Sequence, residues 1–267
     1  MQNVKLRQAT NSDIPKLKKL WQICFGDRMR YIDVFFENMF VPENTLVAEI
    51  DKTLAGVVYV LKRNLGKKEF LYGYAIGVFP EFRGRNICKI MLDKIKDYTV
   101  KNNCLFGLHP ANEKLAQFYQ KIGLKKMYSL KEVDATEFAS HKKFPIDDIS
   151  DDEFYNMRAK AFTNSVDWDK NTLSYILKNG EIVKKMNIDK KIHYFVLAKY
   201  DDTLIVKETT ASDDEILMVS ESLKESFNAS KIRYFLSSKS TLHGKVQPVI
   251  YGFSEEDDSV YMNLFLD

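Results

Sequence analysis

The chain has 267 residues, 45% of them hydrophobic and 13% aromatic, with a formal net charge of +3. That composition excludes a disordered or fibrous chain and is enough for one large domain, or two of about 130 residues each with its own core. There is no apolar run of about 18 residues, and Met1-Gln2-Asn3-Val4-Lys5 lacks a signal-peptide core. The three cysteines, Cys24, Cys88 and Cys104, form no close pair, so the expectation is a cytoplasmic chain without membrane spans, disulfides or a cysteine metal site.

In chain order, residues 4–7 predict a short strand. Asn11, Ser12 and Asp13 then offer caps, and Pro15 opens a helix whose Ile14, Leu17, Leu20, Trp21 and Cys24 recur at helical spacing up to Gly26. A second helix is expected over residues 30–39. Strands follow over 45–49 and 55–61 around an Asp51-Lys52 turn, and a turn at 64–66 leads into a strand over 70–79. A helix over about 85–101, a strand over 104–108, a helix over 112–122 and a strand over 127–133 complete a mixed α/β pattern. Residues 134–150 read as a charged, Pro-containing linker. Beyond it, helices at 152–162 and 169–177, strands at 193–200 and 203–209, a helix at 213–227 and a strand at 232–236 partly repeat the first half. The segment 260–266 reads as a buried strand.

The chemically loudest stretch is Val78-Phe79-Pro80-Glu81-Phe82-Arg83-Gly84-Arg85-Asn86-Ile87-Cys88, set between a strand and an amphipathic helix. A helix N-terminus presents unpaired N–H groups and partial positive charge, and Arg83, Arg85 and Lys89 add full charges there. A phosphate or pyrophosphate suits that end; a solvated basic helix start is the plainer alternative. The basic excess is confined to residues 1–140, and the rest of the chain is net acidic. This matches an anionic ligand of the first half, while no nucleic-acid motif is present.

A second segment, Asn112-Glu113-Lys114-Leu115-Ala116-Gln117-Phe118-Tyr119-Gln120-Lys121-Ile122-Gly123-Leu124, lies about 25 residues downstream. Together the two segments resemble the GCN5-related N-acetyltransferase (GNAT) superfamily, with Val78, Pro80, Arg83, Asn112, Tyr119, Lys121 and Gly123 at its spacing. The resemblance implies a GNAT fold over about residues 3–134, with the turn Arg83, Gly84, Arg85, Asn86, Ile87 and Cys88 holding the pyrophosphate of acetyl-CoA. It further implies that Ile76, Gly77 and Val78 offer backbone groups to the pantetheine arm, with a bulge at Gly77. Asn112 is carried over as cofactor-binding and Tyr119 as the acid that protonates the leaving thiolate. Asn86 and Cys88 stand where the family has small residues; Asn is the non-Gly residue that best tolerates a left-handed backbone.

The resemblance extends to tandem-GNAT proteins of the enhanced-intracellular-survival (Eis) type. That implies a catalytic domain at 1–138 and a degenerate copy at 139–267, where Ala211-Ser212-Asp213-Asp214-Glu215 replaces the basic turn with carboxylates. The implied function is acetyl-CoA-dependent N-acyl transfer to a primary amine by direct attack in a ternary complex, the acceptor a small molecule or peptide. A non-catalytic CoA-binding protein and a Fem-type aminoacyl-tRNA-dependent peptidyl transferase stay open as alternatives.

No general base stands out. Glu69 opens the central strand and Glu81 follows Pro80, both reading more readily as solvated carboxylates. Asp33 and Glu37 share a face of a helix that the resemblance places beside the acceptor site, and His109 falls near the expected cleft. Surface solubility and a capping or loop role are the commoner readings of these. His141, His193 and His243 form no metal constellation. Because one strand alone is evident between 123 and the linker, the first sheet is expected to have an incomplete edge that a late strand, residues 260–266, could complete, bringing Asp267 near the cleft.

Overall fold

The computed structural model describes residues 4–140, 142–254 and 261–262. Its contacts group the chain into two compact units. The first comprises Met1–Met127, Asp167–Tyr175 and Ile250–Glu256, and the second Tyr128–Val166, Ile176–Val249 and Asp257–Asp267.

The first unit opens with β1 (Val4–Gln8), α1 (Ile14–Phe25) and α2 (Met29–Asn38), followed by β2 (Thr45–Ile50), β3 (Thr53–Leu65) and β4 (Lys68–Val78). Then come α3 (Ile87–Asn102), β5 (Leu105–Leu108) and α4 (Glu113–Lys121). β1 to β4 pair antiparallel in sequence order, and β4 pairs parallel with β5. The β2–β3 hairpin turns through Asp51 and Lys52 with φ of 48° and 62°, the two left-handed positions that a tight hairpin requires. α1 stops at Gly26, whose φ of 75° provides a left-handed C-cap. Leu17, Leu20 and Trp21 of α1 and Ile32 and Phe35 of α2 are buried, as are Ile87, Met91, Leu92 and Ile95 of α3. Cover on both faces explains why consecutive β3 residues, Leu54 to Tyr59, are buried without alternation.

β4 carries the feature that shapes the site. Its pairing with β3 runs from Val60↔Gly73 through Tyr59↔Tyr74 to Val57↔Gly77, so β4 holds one residue more than β3 across this stretch. The irregularity centres on Ala75, a non-glycine residue with φ of 44°. The bulge expected at Gly77 therefore lies two residues earlier. Gly77 itself meets a different demand: a Cβ there would sit 3.3 Å from Cys24 Sγ, so its bareness lets α1 pack close. Pairing with β5 ends at Gly73↔Leu108, while β4 runs on to Val78. Residues 74–78 thus leave β5 behind and open a notch along one edge of β4. On its other side β5 is joined by the end of β12 (Lys245–Gly252), through Tyr251↔Leu108 and Gly252↔Gly107. A late strand does complete this sheet, and it is the segment ending at Gly252. The strand expected at 260–266 and Asp267 lie outside the described residues, apart from Tyr261 and Met262.

The second unit repeats the order. It contains β6 (Lys125–Asp134, from Tyr128), β7 (Ile146–Asp148), α5 (Asp151–Ala161), the end of α6 (Lys170–Lys178), β8 (Ile182–Ile188), β9 (Lys191–Tyr200), β10 (Thr203–Thr209), α7 (Asp213–Ser226) and β11 (Lys231–Ser237). β7 to β10 pair antiparallel in order, β10 pairs parallel with β11, and β11 pairs antiparallel with β6. An Asp-Lys dipeptide again makes the first long hairpin turn, Asp189 and Lys190 having φ of 47° and 71°. A bulge again interrupts the strand before the central helix, between Val206 and Glu208. β7 lies inside the expected linker, and β8 is a strand that the sequence pattern did not announce.

Candidate functional site

The turn from β4 into α3 is built to leave a helix start bare. Pro80 to Phe82 form one 3-10 turn, Gly84 takes φ of 77°, and Asn86, the N-cap of α3, takes φ of 59° and ψ of 17°. Asn86 thus adopts the left-handed conformation that a glycine would supply. α3 begins at Ile87, so Arg85 belongs to the turn and not to the helix. No side chain caps this end. The N–H groups of Ile87, Cys88 and Lys89 precede the first intrahelical bond, from Ile90 N–H to the Asn86 carbonyl at 2.9 Å. They face a cavity of about 260 Å³ lined by Val78, Arg83, Gly84, Asn86, Ile87 and Cys88, with Phe82, Lys89, Phe118 and Ile122 completing it.

The cations are tethered by their surroundings. Arg83 donates from Nε to the Val78 carbonyl at 3.0 Å and points a terminal nitrogen at Cys24 Sγ, 3.7 Å away. Arg85 donates to the Glu81 carbonyl at 3.1 Å and lies over the Phe82 ring. Lys89 is paired with Asp93 at 2.6 Å, one helical turn on. All three are exposed, where such contacts are weak and exchange readily for a better anion.

Ile76, Gly77, Arg85, Asn112 and Tyr119 stand outside the cavity lining. Ile76 is half-buried, whereas Leu71 to Tyr74 just before it are buried, which marks where β4 opens to the notch. Asn112 caps α4, its side-chain oxygen accepting the Leu115 N–H at 3.0 Å. Tyr119 is 7% exposed and packs in the core cluster that holds Ile87, Met91 and Leu92. Burial, reinforced by the nearby Cys88, pushes its hydroxyl well above the usual tyrosine range, so it stays protonated. The Cys88 thiol is pushed up to about 12 by burial, which keeps it un-ionised and unsuited to nucleophilic attack.

Two of the carboxylate candidates have ordinary partners. Asp33 pairs with Lys18 at 2.6 Å, and Glu69 with Lys62 at 3.6 Å. His193 lies in the second unit, 3.2 Å from Glu215. Among the described residues no group of His, Cys, Asp and Glu is arranged to hold a metal ion, and no helix is long and apolar enough to cross a membrane. Cys24, behind Gly77, and Ala75, the bulged residue, carried no sequence signal. A half-buried cysteine on the apolar face of a helix looks like packing, and alanine is not a turn residue.

At the equivalent helix start the second unit is closed. Ser212 caps α7 in a reciprocal box with Glu215, and Asp213, Asp214 and Glu215 fill its first turn. Behind it Glu208, fully buried on β10, takes two hydrogen bonds from Arg158 of α5, at 2.9 and 3.1 Å, and one from the Tyr194 hydroxyl. Anion binding at that end is opposed by charge and by occupied N–H groups.

A family model described as an acetyltransferase (GNAT) domain matches residues 5–127. No curated protein matches the sequence. Among solved structures, a GCN5-related N-acetyltransferase from Anabaena variabilis is 16% identical, with a TM-score of 0.69 over 93% of this chain and 72% of that one. A probable N-acyltransferase from Enterococcus faecalis is 11% identical, with a TM-score of 0.71 over 94% and 72%. Eis1 from Mycobacterium abscessus is 11% identical, with a TM-score of 0.64 over 93% and 72%. At these identities the likeness is one of fold, and it spans both units: a GNAT fold in tandem, with the second copy lacking the open helix start.

Proposed function

We propose, with residues 5–127 as a GNAT-family acetyltransferase domain, that the chain transfers an acetyl group from acetyl-CoA to a primary amine of a small molecule or peptide, by direct attack in a ternary complex. In this reading residues 1–138 hold the donor site, completed by Ile250–Gly252, and 139–267 are the degenerate copy. The observation that carries it is the bare start of α3, uncapped and opening on a cavity beside the point where β4 parts from β5.

The residues fit such a donor. Three N–H groups ahead of the first intrahelical bond and three cations suit a pyrophosphate. The edge of β4 beyond its pairing with β5, where Arg83 and Cys24 now hold the Val78 carbonyl, suits an amide-bearing arm that would take their place. Bound acetyl-CoA supplies the acyl group already activated as a thioester. Arg83, Gly84, Arg85, Asn86, Ile87 and Cys88 hold its phosphates in this reading, and Ile76, Gly77 and Val78 orient its arm. Asn112 keeps α4 in place through its cap. Tyr119, held protonated by burial, donates its proton to the departing sulfur.

The test is a thermal melt with millimolar CoA, followed by transfer of labelled acetyl to a panel of amines. CoA raises the melting temperature through linkage, and Arg83→Glu with Arg85→Glu abolishes the rise without unfolding the protein. A wild-type protein indifferent to CoA ends the proposal. CoA binding without transfer to any amine moves it to the non-catalytic alternative.

A further inference from the structure

The far half of α3 covers the sheet incompletely. Ile87, Met91, Leu92 and Ile95 of this helix are buried. Leu6 of β1, Leu46 of β2 and Val60 of β3 pack into the same layer yet stay half-buried. They meet Leu71 of β4 and Ile95 and Tyr98 of α3 around a second cavity, of about 380 Å³. That size is in the range of small-molecule pockets. All of its lining belongs to the first unit, and it shares no residue with the cavity at the helix start. The helical rise carries Ile95 about 12 Å along the axis from Ile87.

The apolar part of this lining is aliphatic, and its charged part is mainly cationic. Of the three cations, Arg7 is held by Asp13 and Glu49, both at 2.7 Å. Lys62 and Lys94 are not held in this way. Lys62 reaches Glu69 only at 3.6 Å, a long pair in contact with water, and its Nζ stands 5.9 Å from the centre of the Tyr98 ring. Lys94, one helical turn before Tyr98, is exposed and has no carboxylate partner among the described residues. Glu43, the one carboxylate on the lining, is exposed on the turn ahead of β2, where water screens it. The complement of this cavity is an aliphatic body with an anionic head. We propose that it binds a medium-chain aliphatic monocarboxylate, with the chain on Leu6, Leu46, Val60 and Leu71 and the carboxylate between Lys62 and Lys94. The chain removes half-buried aliphatic surface from water, and each ammonium donates a charge-assisted hydrogen bond to a carboxylate oxygen. This site is independent of the acyl-transfer reading and stands or falls without it.

The experiment titrates the full isotope-labelled chain with sodium octanoate, followed by backbone amide NMR, with hexanoate, octanol and octylamine as comparisons. Octanoate is expected to shift the amides of Leu6, Leu46, Val60 and Lys94 to Tyr98 together and saturably, and to leave those of Gly84 to Lys89 unmoved. Hexanoate, two methylenes shorter, binds about 5- to 15-fold more weakly. Octanol and octylamine keep the chain without the negative charge and bind about 5- to 20-fold more weakly than octanoate. Lys94→Glu, a change at an exposed position that the fold does not need, weakens octanoate by a similar factor and spares octanol. The inference is overturned if millimolar octanoate shifts none of these amides, if octanol binds as tightly as octanoate, or if Lys94→Glu leaves octanoate affinity unchanged. Shifts spread over exposed apolar residues of both units, such as Val100 and Ile192, would mark surfactant adsorption and overturn it equally. Shifts confined to residues 84–89 would move the ligand to the helix start and do the same.

Discussion

Asn86 holds a φ of 59° at the head of α3, a conformation that glycine takes freely and asparagine tolerates among L-residues. Asn86→Val puts a β-branched side chain there. The expected result is a loss of about 1–3 kcal/mol in a denaturant titration, with CoA affinity falling alongside, whereas Asn86→Gly keeps both near wild type. Tyr119→Phe keeps the buried ring and removes the proton. We expect turnover to fall about 10- to 1000-fold with CoA affinity preserved, and wild-type turnover would return Tyr119 to packing alone. Asp13, away from the site, sets an acid limit. The hydrogen bond from Arg7, against the opposing cost of burial, lowers its carboxyl from 3.8 to about 2. A carboxyl lowered in the fold stabilises fully above its unfolded pKa, and that share is lost as pH falls through the folded one. Asp13→Asn therefore lowers stability at neutral pH by about 2 kcal/mol, a deficit that closes between pH 4 and 2 in urea titrations. At this scale part of the expected set comes together: Val78, Arg83, Gly84, Asn86, Ile87 and Cys88 line one cavity, whereas Ile76, Gly77, Arg85, Asn112 and Tyr119 lie outside its lining. Cys24 was not legible, because nothing local in a helix records which thiol will face a strand fifty residues away.

Two helices that start the same way in the fold diverge through their first turns. α3 begins uncapped behind a glycine and an asparagine in left-handed conformations, and α7 begins behind a capping box with three carboxylates. The divergence continues inward, where Glu208 on the second bulged strand is neutralised by Arg158 and buried completely. Removing one partner of a buried ion pair strands the other, so Glu208→Ala is expected to cost about 3–5 kcal/mol in unfolding free energy. A loss below 1 kcal/mol would show that water reaches Arg158. Elements with strong periodicity, such as α1 and α3, were readable from sequence. β8 was not, since Lys184-Lys185 breaks its alternation, and β7 is a three-residue strand whose hydrogen bonds come from β8. The bulge was read at Gly77 because glycine is the usual marker. The protein spends that glycine on contact with Cys24 and places the distortion at Ala75.

Across the whole molecule each compact unit draws on distant parts of the sequence. The first takes in Asp167–Tyr175 and Ile250–Glu256. Arg63, nearly buried, donates to Thr172 at 2.7 Å, Asn64 is bonded to Asp167, and Tyr251 and Gly252 pair with β5. A fragment of residues 1–138 lacks all of these and exposes the β5 edge, so it is expected to aggregate or to bind no CoA, as judged by size-exclusion chromatography and a CoA melt. A soluble fragment with wild-type CoA affinity would make those segments dispensable. The tandem order was legible because each half repeats helices, hairpins and a parallel return. The provenance of the first sheet's last strand was not, since pairing between residues 108 and 251 leaves no local pattern. The account turns on one place, the open start of α3, and backbone amide NMR during a CoA titration reads it directly. The N–H signals of Gly84 to Lys89 are predicted to shift and saturate together, with those of Asp213 to Ile216 at the start of α7 unchanged. Saturable shifts that avoid residues 84–89, or none at millimolar CoA, would contradict it.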